Sequence, residues 1–187
     1  MYARQIPGWY TECEAELLWK YAVSQRVAVE VGCFCGRSTN VIAAAVESFV
    51  YAIDIFDGEK HRETWYQQQL ELAGEEGNFF ESFKRWTLHG PWGHKVIAVV
   101  AKDTNWKWKW LNGTIGFLHL DHEHTADAVE RSLRHWHRWM LPDGVVAIHD
   151  YFGGKDPNVK KGAERVKMQV IDSVRTLAIC QYGDSYE

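Results

Sequence analysis

Short apolar runs that each close on a polar or acidic residue, with helical periodicity between them, constrain this chain more than any other feature. Residues 26–31 form a β-branched run with Glu30 near its end and Gly32 after it, and residues 50–53 are followed by Asp54. Residues 95–101 precede Asp103, residues 114–120 precede Asp121, and residues 145–148 precede His149 and Asp150. Runs of this length and composition read as buried strands. Before the first of them Thr11-Glu-Cys-Glu14 reads as a capping box, opening a helix with Ala15, Leu18, Trp19 and Ala22 on its apolar face. Ser38 or Thr39 is expected to cap a helix buried through Val41, Ile42, Ala45, Val46 and Phe49. Ala126, Val129, Leu133, Trp136 and Met140 keep helical spacing after the fourth run. Strands alternating with helices predict an α/β fold: a doubly wound, mostly parallel sheet with helices on both faces. Such sheets bind ligands beyond the carboxyl ends of their strands, where these polar residues collect.

The rest of the chain is less regular. Residues 57–94 are polar and aromatic, with helical stretches at 65–72 and 79–88, and read as an insert or lid within one domain spanning 1–187. Trp106, Trp108 and Trp110 alternate with Lys107 and Lys109, a pattern that fits a short helix or an extended strand. Leu141-Pro-Asp-Gly144 reads as a turn, because proline presets φ and glycine admits unusual backbone angles. A helix near 159–171 and one strand near 174–181 are expected to close the chain, leaving the last strand missing or abbreviated. A formal net charge of −4 argues against a nucleic-acid partner. No apolar run is long enough to span a bilayer and no signal-like segment opens the chain, so no membrane association is expected. Four cysteines without a disulfide-scaffold spacing fit a reducing, cytoplasmic setting, and Cys33 and Cys35 read as small loop residues rather than a redox pair.

The segment Glu30-Val-Gly-Cys-Phe-Cys-Gly-Arg-Ser38 joins the first strand to the next helix. Gly32 permits a tight turn there, and Gly32 and Gly36 lack side chains that would keep a ligand from the backbone. Three residues separate the two glycines, whereas a dinucleotide fingerprint needs G-x-G-x-x-G, and the Gly-Lys-Ser/Thr of a phosphate loop is absent. Asp54 stands where a carboxylate meets ribose hydroxyls in nucleoside-binding α/β folds. A turn not tuned for pyrophosphate beside a ribose-type acid points to a nucleoside without phosphates.

In these motifs the sequence resembles the class I S-adenosylmethionine-dependent methyltransferases. Glu30, Gly32, Gly36 and Ser38 match the first motif of that family, acid-x-Gly-x-x-x-Gly-x-Ser/Thr, and Asp54 its second. Lys102-Asp103-Thr104 is similar to the stretch beside the adenine, and Leu141-Pro-Asp-Gly144 with His149-Asp150-Tyr151 looks like the family's "L-x-P-G-G … H-D-Y" ending. The likeness covers about residues 27–152 and is nearest to small-molecule and sugar O-methyltransferases. It implies a Rossmann-like sheet of about seven strands and S-adenosylmethionine held by Glu30, Gly32, Gly36, Ser38, Asp54, Asp103 and Asp121. It further implies a small-molecule acceptor methylated at oxygen, magnesium (Mg2+) held by Asp121 and Asp150, and Glu123 or His149 as base, with His124 competing. A hydroxyl is a weak nucleophile until it loses its proton, hence the metal and the base.

Two departures bear on that carry-over. His124-Thr-Ala126 stands where related domains read His-x-Tyr, and His149-Asp150 where the sugar enzymes carry two adjacent acids. The histidine replacement keeps metal-free histidine-base catalysis open. Two other readings follow from the same residues. His119, His122 and His124 beside Asp121 could form a zinc or di-metal hydrolase site, although His119 lies in an alternating strand and is expected to face a helix layer. A nucleoside-binding partner subunit without catalysis, or a homo-oligomer, would use the same fold.

Overall fold

The computed structural model describes residues 2–57, 68, 71, 79–105, 113–152 and 157–183. After a short 3-10 turn at Tyr2–Gln5, the described elements run α1 (Glu12–Ala22), β1 (Val27–Val31), α2 (Arg37–Ala45), β2 (Phe49–Asp54), α3 (Phe79–Phe83), β3 (Val96–Val100), β4 (Ile115–Leu120), α4 (Ala126–His137), β5 (Met140–Ile148), α5 (Asn158–Arg165), β6 (Met168–Val174) and β7 (Leu177–Tyr182). One sheet holds all seven strands in the order β3-β2-β1-β4-β5-β7-β6. The first five are parallel, and β7 is antiparallel to both β5 and β6.

Strand alternation divides the core into two layers, one on each face of the sheet. Val29, Val31, Ile53, Leu118, Leu120, Val146 and Ile148 point to one face, where Val129, Leu133 and Trp136 of α4 and Val159 and Ala163 of α5 cover them. Ala28, Val50, Ala52, Phe117 and Ala147 point to the other, under Leu17, Leu18 and Ala22 of α1 and Val41 and Ile42 of α2. The sheet is therefore wound on both sides, as the alternation predicts.

Four local expectations are corrected. The N-cap of α2 is Gly36, at φ 90°, which places Ser38 and Thr39 inside the first turn. Phe49 begins β2 and is 45% exposed instead of packing under that helix. Leu141-Pro-Asp-Gly144 sits inside β5 as a bulge: Ile115 faces Met140 and Phe117 faces Val145, so the extra residues loop out of register. The closing strands are both present. Helix α5 ends at Arg165, Lys167 takes φ 55°, and β6 turns into β7 through Arg175 at φ 53°. That hairpin lacks the Asn-Gly or Asp-Gly signal which marks tight turns in sequence. The expected helix at 79–88 is a short α3 continuing into a π turn at Lys84–Leu88. The expected helix at 65–72 falls almost wholly outside the described residues, as does the Trp106–Trp110 alternation. No helix among the described residues is long and apolar enough to cross a membrane.

Candidate active site

The carboxyl ends of β2, β1, β4 and β5 lie side by side, and each passes its chain to a neighbour. Gly32 donates its N–H to Ile53 O at 2.9 Å, Asp121 N–H to Val31 O at 2.9 Å, and His149 N–H to Leu120 O at 3.0 Å. This stitching brings Asp54, the glycine turn, Asp121 and His149 onto one edge.

Asp54 fastens the glycine turn directly. Its Oδ2 accepts from the backbone N–H of Cys33 at 2.7 Å and of Phe34 at 3.0 Å, and its Oδ1 from Phe56 N–H at 2.7 Å. Burial pushes this carboxyl above its ordinary range, opposed by those three donors. Gly32 and Gly36 have φ 86° and 90°, a conformation that glycine tolerates far better than other residues. The space where their side chains would stand is filled by protein. A Cβ at Gly32 would stand 1.9 Å from Asp121 O, and one at Gly36 would stand 1.9 Å from Thr87 Oγ1. Thr87 itself donates to Cys35 O at 3.2 Å and accepts from Asn40 Nδ2 at 3.0 Å, tying the π turn to the glycine bend.

Glu30 and His119 are direct cross-strand partners on the α1–α2 face of β1 and β4. Both side chains are fully buried, with Nδ1 of His119 3.0 Å from Oε1 of Glu30. Ser38 Oγ donates to the same Oε1 at 2.5 Å, and Thr39 Oγ1 donates to Oε2. The hydroxyl of Tyr10 closes the chain on Nε2 of His119. The Tyr10 ring also stacks on His149, centroids 4.4 Å apart, and so links this buried network to the site edge. Sequence reasoning missed Tyr10 and Thr87, since neither stands in a motif or at a strand end.

Asp121, His124, Asp150 and His149 form the second half of the site. Nδ1 of His149 lies 3.3 Å from Asp121 Oδ1 and 3.5 Å from Asp150 Oδ2, at ion-pair distance but without hydrogen-bond alignment. Its Nε2 lies 3.3 Å from Thr176 Oγ1 and 3.8 Å from Glu14 Oε1. His124 Nε2 reaches Asp150 Oδ2 at 3.4 Å and Asp121 Oδ1 at 3.7 Å. Asp121, His122, Glu123, His124 and His149 line a hollow at this edge. Glu123 is exposed, and its Oε1 accepts from Thr125 Oγ1 at 3.3 Å. Asp103 follows β3 and accepts from Trp136 Nε1 at 3.2 Å.

A family model described as a methyltransferase domain matches residues 29–151, well over half of the chain and the whole of this edge. The chain belongs to that family. Solved structures agree on the fold. A Burkholderia thailandensis 1,6-didemethyltoxoflavin-N1-methyltransferase with bound S-adenosylhomocysteine superposes with a TM-score of 0.61 at 13% identity, over 92% of this chain and 78% of that one. A TDP-rhamnose 3'-O-methyltransferase of calicheamicin biosynthesis gives 0.58 at 15% identity, over 92% and 78%. A Thermotoga maritima S-adenosylmethionine-dependent O-methyltransferase gives 0.60 at 13% identity, over 96% and 68%. The protein is thus a methyltransferase of class I architecture, and S-adenosylmethionine is the methyl donor that this assignment supports.

Within the methyltransferase, the expected site residues fall into three groups. Asp54, Gly32, Gly36 and Asp121 share the strand-end edge, whereas Glu30 and Ser38 lie beneath it on each other, with the Glu30 carboxyl 0% exposed. Asp103 stands apart, on the α4 side. The three histidines of the hydrolase reading do not converge: His119 is buried on Glu30 and Tyr10, while His124 reaches Asp121 and Asp150. Asp121, His124 and Asp150 are a metal-capable trio among the described residues, with ligand atoms within 4.8 Å of one another. Magnesium finds no support beyond the two carboxylates: it takes oxygen ligands and water, whereas imidazoles stand against both carboxylates here, one of them His149 in the place of the second acid. None of the four cysteines forms a disulfide. Burial raises the Cys33 thiol well above its ordinary range and pushes Cys180 up to about 12, which suits inert thiols.

The ion pairing at His149 makes stability depend on pH in a definite direction. Burial alone would lower this imidazole, but Asp121 and Asp150 outweigh it and raise its pKa to about 10 from an ordinary 6.5. A group raised on folding contributes stability that is fully present below about pH 6.5 and is lost as pH rises through about 10. The lowered pKa of Asp121 is the same attraction seen from the other partner and is not counted twice. Urea midpoints of the wild type are expected to fall between pH 7 and pH 10 more steeply than those of His149→Gln. Parallel curves would remove His149 from the pair.

Proposed function

We propose that this methyltransferase passes the methyl group of S-adenosylmethionine to a hydroxyl oxygen of a small-molecule acceptor. The observation that carries the reading is the contact of Asp54 with the glycine turn on the same edge as Asp121 and His149. An ionised carboxylate offers about four acceptor positions, and backbone donors take three of them at Asp54. One position remains for a ribose hydroxyl, and a second hydroxyl is accommodated by exchange with the Phe56 N–H. In this reading Glu30 and Ser38 brace the turn from below. Gly32 and Gly36 serve by letting Asp121 and Thr87 close on the backbone, and the amino-acid tail of the donor lies toward Asp121.

Reaction at this edge is an in-line displacement. The acceptor oxygen forms a bond to the methyl carbon, the carbon–sulfur bond breaks, and its electron pair stays on sulfur to give S-adenosylhomocysteine. The hydroxyl proton passes to Glu123. Two observations favour Glu123 over His149 as base: it is an exposed carboxylate on the wall of the hollow, and both ring nitrogens of His149 already face protein partners. Holding the two reacting atoms in line supplies most of the acceleration.

The test has two stages. Isothermal calorimetry is expected to show saturable binding of S-adenosylhomocysteine to the wild-type chain. Methyl transfer from labelled S-adenosylmethionine to a panel of hydroxylated acceptors is then expected to fall about 100-fold or more in Glu123→Gln, the usual worth of a general base. Absence of nucleoside binding would overturn the cofactor site, and an unimpaired Glu123→Gln enzyme would overturn the base.

A further inference from the structure

The closing hairpin reaches back to the strand-end edge. Its turn between β6 and β7 carries Thr176, whose backbone oxygen accepts from Phe152 N–H at 3.2 Å, so the turn is docked against the segment leaving β5 just past His149 and Asp150. The Thr176 hydroxyl donates to Glu14 Oε1 at 2.8 Å, and the Thr176 N–H donates to the same oxygen at 3.3 Å. Glu14 is 2% exposed and is held from its other side, where Oε2 accepts from Thr11 N–H at 3.0 Å and from Thr11 Oγ1 at 2.5 Å. Helix α1, the hairpin turn and the end of β5 thus meet behind His149.

The direction of these bonds fixes the imidazole. A hydroxyl has one proton to give, and that of Thr176 goes to Glu14. Toward His149 Nε2, 3.3 Å away, Thr176 Oγ1 therefore presents a lone pair, and the proton between them sits on Nε2. The opposite ring flip would set carbons against Thr176 on one side and against Asp121 and Asp150 on the other. The ring plane is held as well, by the stacked Tyr10. The remaining ring atom, Nδ1, is buried and has no hydrogen-bond partner among the described residues. A buried polar group left so costs about 1–3 kcal/mol, and this one belongs to a side chain that lines the hollow with Asp121 and Glu123.

We propose that Thr176 is a positioning residue for methyl transfer: through Nε2 it holds His149 with Nδ1 turned to the strand-end edge, where that nitrogen meets an oxygen of the acceptor. Glu14 acts one step further back, by fixing the direction of the Thr176 hydroxyl. The inference rests on the reading that places an oxygen acceptor at this edge, and it leaves Glu123 as the base. It also gives the terminal hairpin a task, although Glu14 and Thr176 both lie outside residues 29–151, the span matched by the family model.

Two measurements test it on the full chain. Thr176→Val keeps the side-chain shape and the backbone bonds but removes the hydroxyl. Its kcat/KM for a hydroxylated acceptor is expected to fall about three- to tenfold, the worth of one hydrogen bond, while affinity for S-adenosylhomocysteine changes by less than about twofold. Thr176→Ser, which keeps the hydroxyl, restores the rate. In histidine-labelled protein, the Nε2 resonance of His149, assigned by its loss in His149→Gln, moves in Thr176→Val and returns in Thr176→Ser. Full turnover in Thr176→Val, an equal loss in the serine variant, or a stationary His149 resonance overturns the positioning role and leaves the oxygen-acceptor reading standing. A matching fall in S-adenosylhomocysteine affinity also overturns it, because the defect would then reach the donor site. A wild type that binds S-adenosylhomocysteine but methylates no hydroxylated acceptor overturns the oxygen-acceptor reading and the positioning role with it, even if the resonance moves.

Discussion

Replacing Glu30 with alanine is expected to cost about 3–5 kcal/mol of folding stability, the range for breaking a fully buried, multiply bonded charged group. The side chain is 0% exposed and carries Ser38 and His119 on one oxygen and Thr39 on the other. Its removal strands two hydroxyls and an imidazole in the dry layer between the sheet and the α1–α2 helices, with Tyr10 left on a histidine that has lost its anchor. Domains of this kind are stable by about 5–15 kcal/mol, so the loss is a large fraction of the whole. Urea unfolding followed by tryptophan fluorescence measures it. Glu30→Gln keeps the shape but turns an acceptor into a donor facing donors, and a smaller loss is expected. The experiment also separates two roles for this acid. If Glu30 served chiefly as a ligand contact, nucleoside affinity would drop in Glu30→Ala while the urea midpoint stayed near the wild type. The buried geometry predicts the reverse order of effects.

How much of this was legible in sequence depends on the range of the interaction. Strand alternation is local, and in residues 114–120 it put His119 on a helix-covered face, whereas Glu30, read from its strand-end position as a cofactor contact, lies fully buried on that same face. Register then makes Glu30 and His119 partners, but register between β1 and β4 is a tertiary fact that no spacing encodes. Tyr10 lies far from His119 in the chain and reaches it through the fold of the N-terminal segment, so its part was invisible. The glycines were found for a sound reason, their left-handed backbone, yet the space they free is used by Asp121 O and Thr87 instead of standing open. The β6–β7 hairpin escaped because Arg175 takes φ 53° without the residue types that advertise such a turn. Magnesium is without support for a reason of chemistry instead of topology. Asp121 and Asp150 do converge with His124, but the position of the second acid carries His149, and the imidazole changes what the cluster can hold.

Asp54→Ala is expected to weaken S-adenosylhomocysteine binding by about 5- to 150-fold, or about 1–3 kcal/mol for loss of charge-assisted hydrogen bonds. The prediction needs care because Asp54 already accepts from Cys33, Phe34 and Phe56. Removing it releases the glycine turn as well as any ribose contact, so affinity and stability fall together. Asp54→Asn separates them: its carbonyl oxygen can keep the Cys33 and Phe34 N–H groups, while its amide nitrogen can no longer accept from Phe56 or from a second hydroxyl. Calorimetry with S-adenosylhomocysteine and with homocysteine, which lacks the sugar, then tells the roles apart. A ribose contact predicts that Asp54→Asn keeps most of the stability and loses affinity for the nucleoside alone. A turn fastener predicts normal nucleoside binding in the asparagine variant. In that case the sugar must be held elsewhere along the edge, since the remaining acceptor position on Asp54 would go unused when the donor binds.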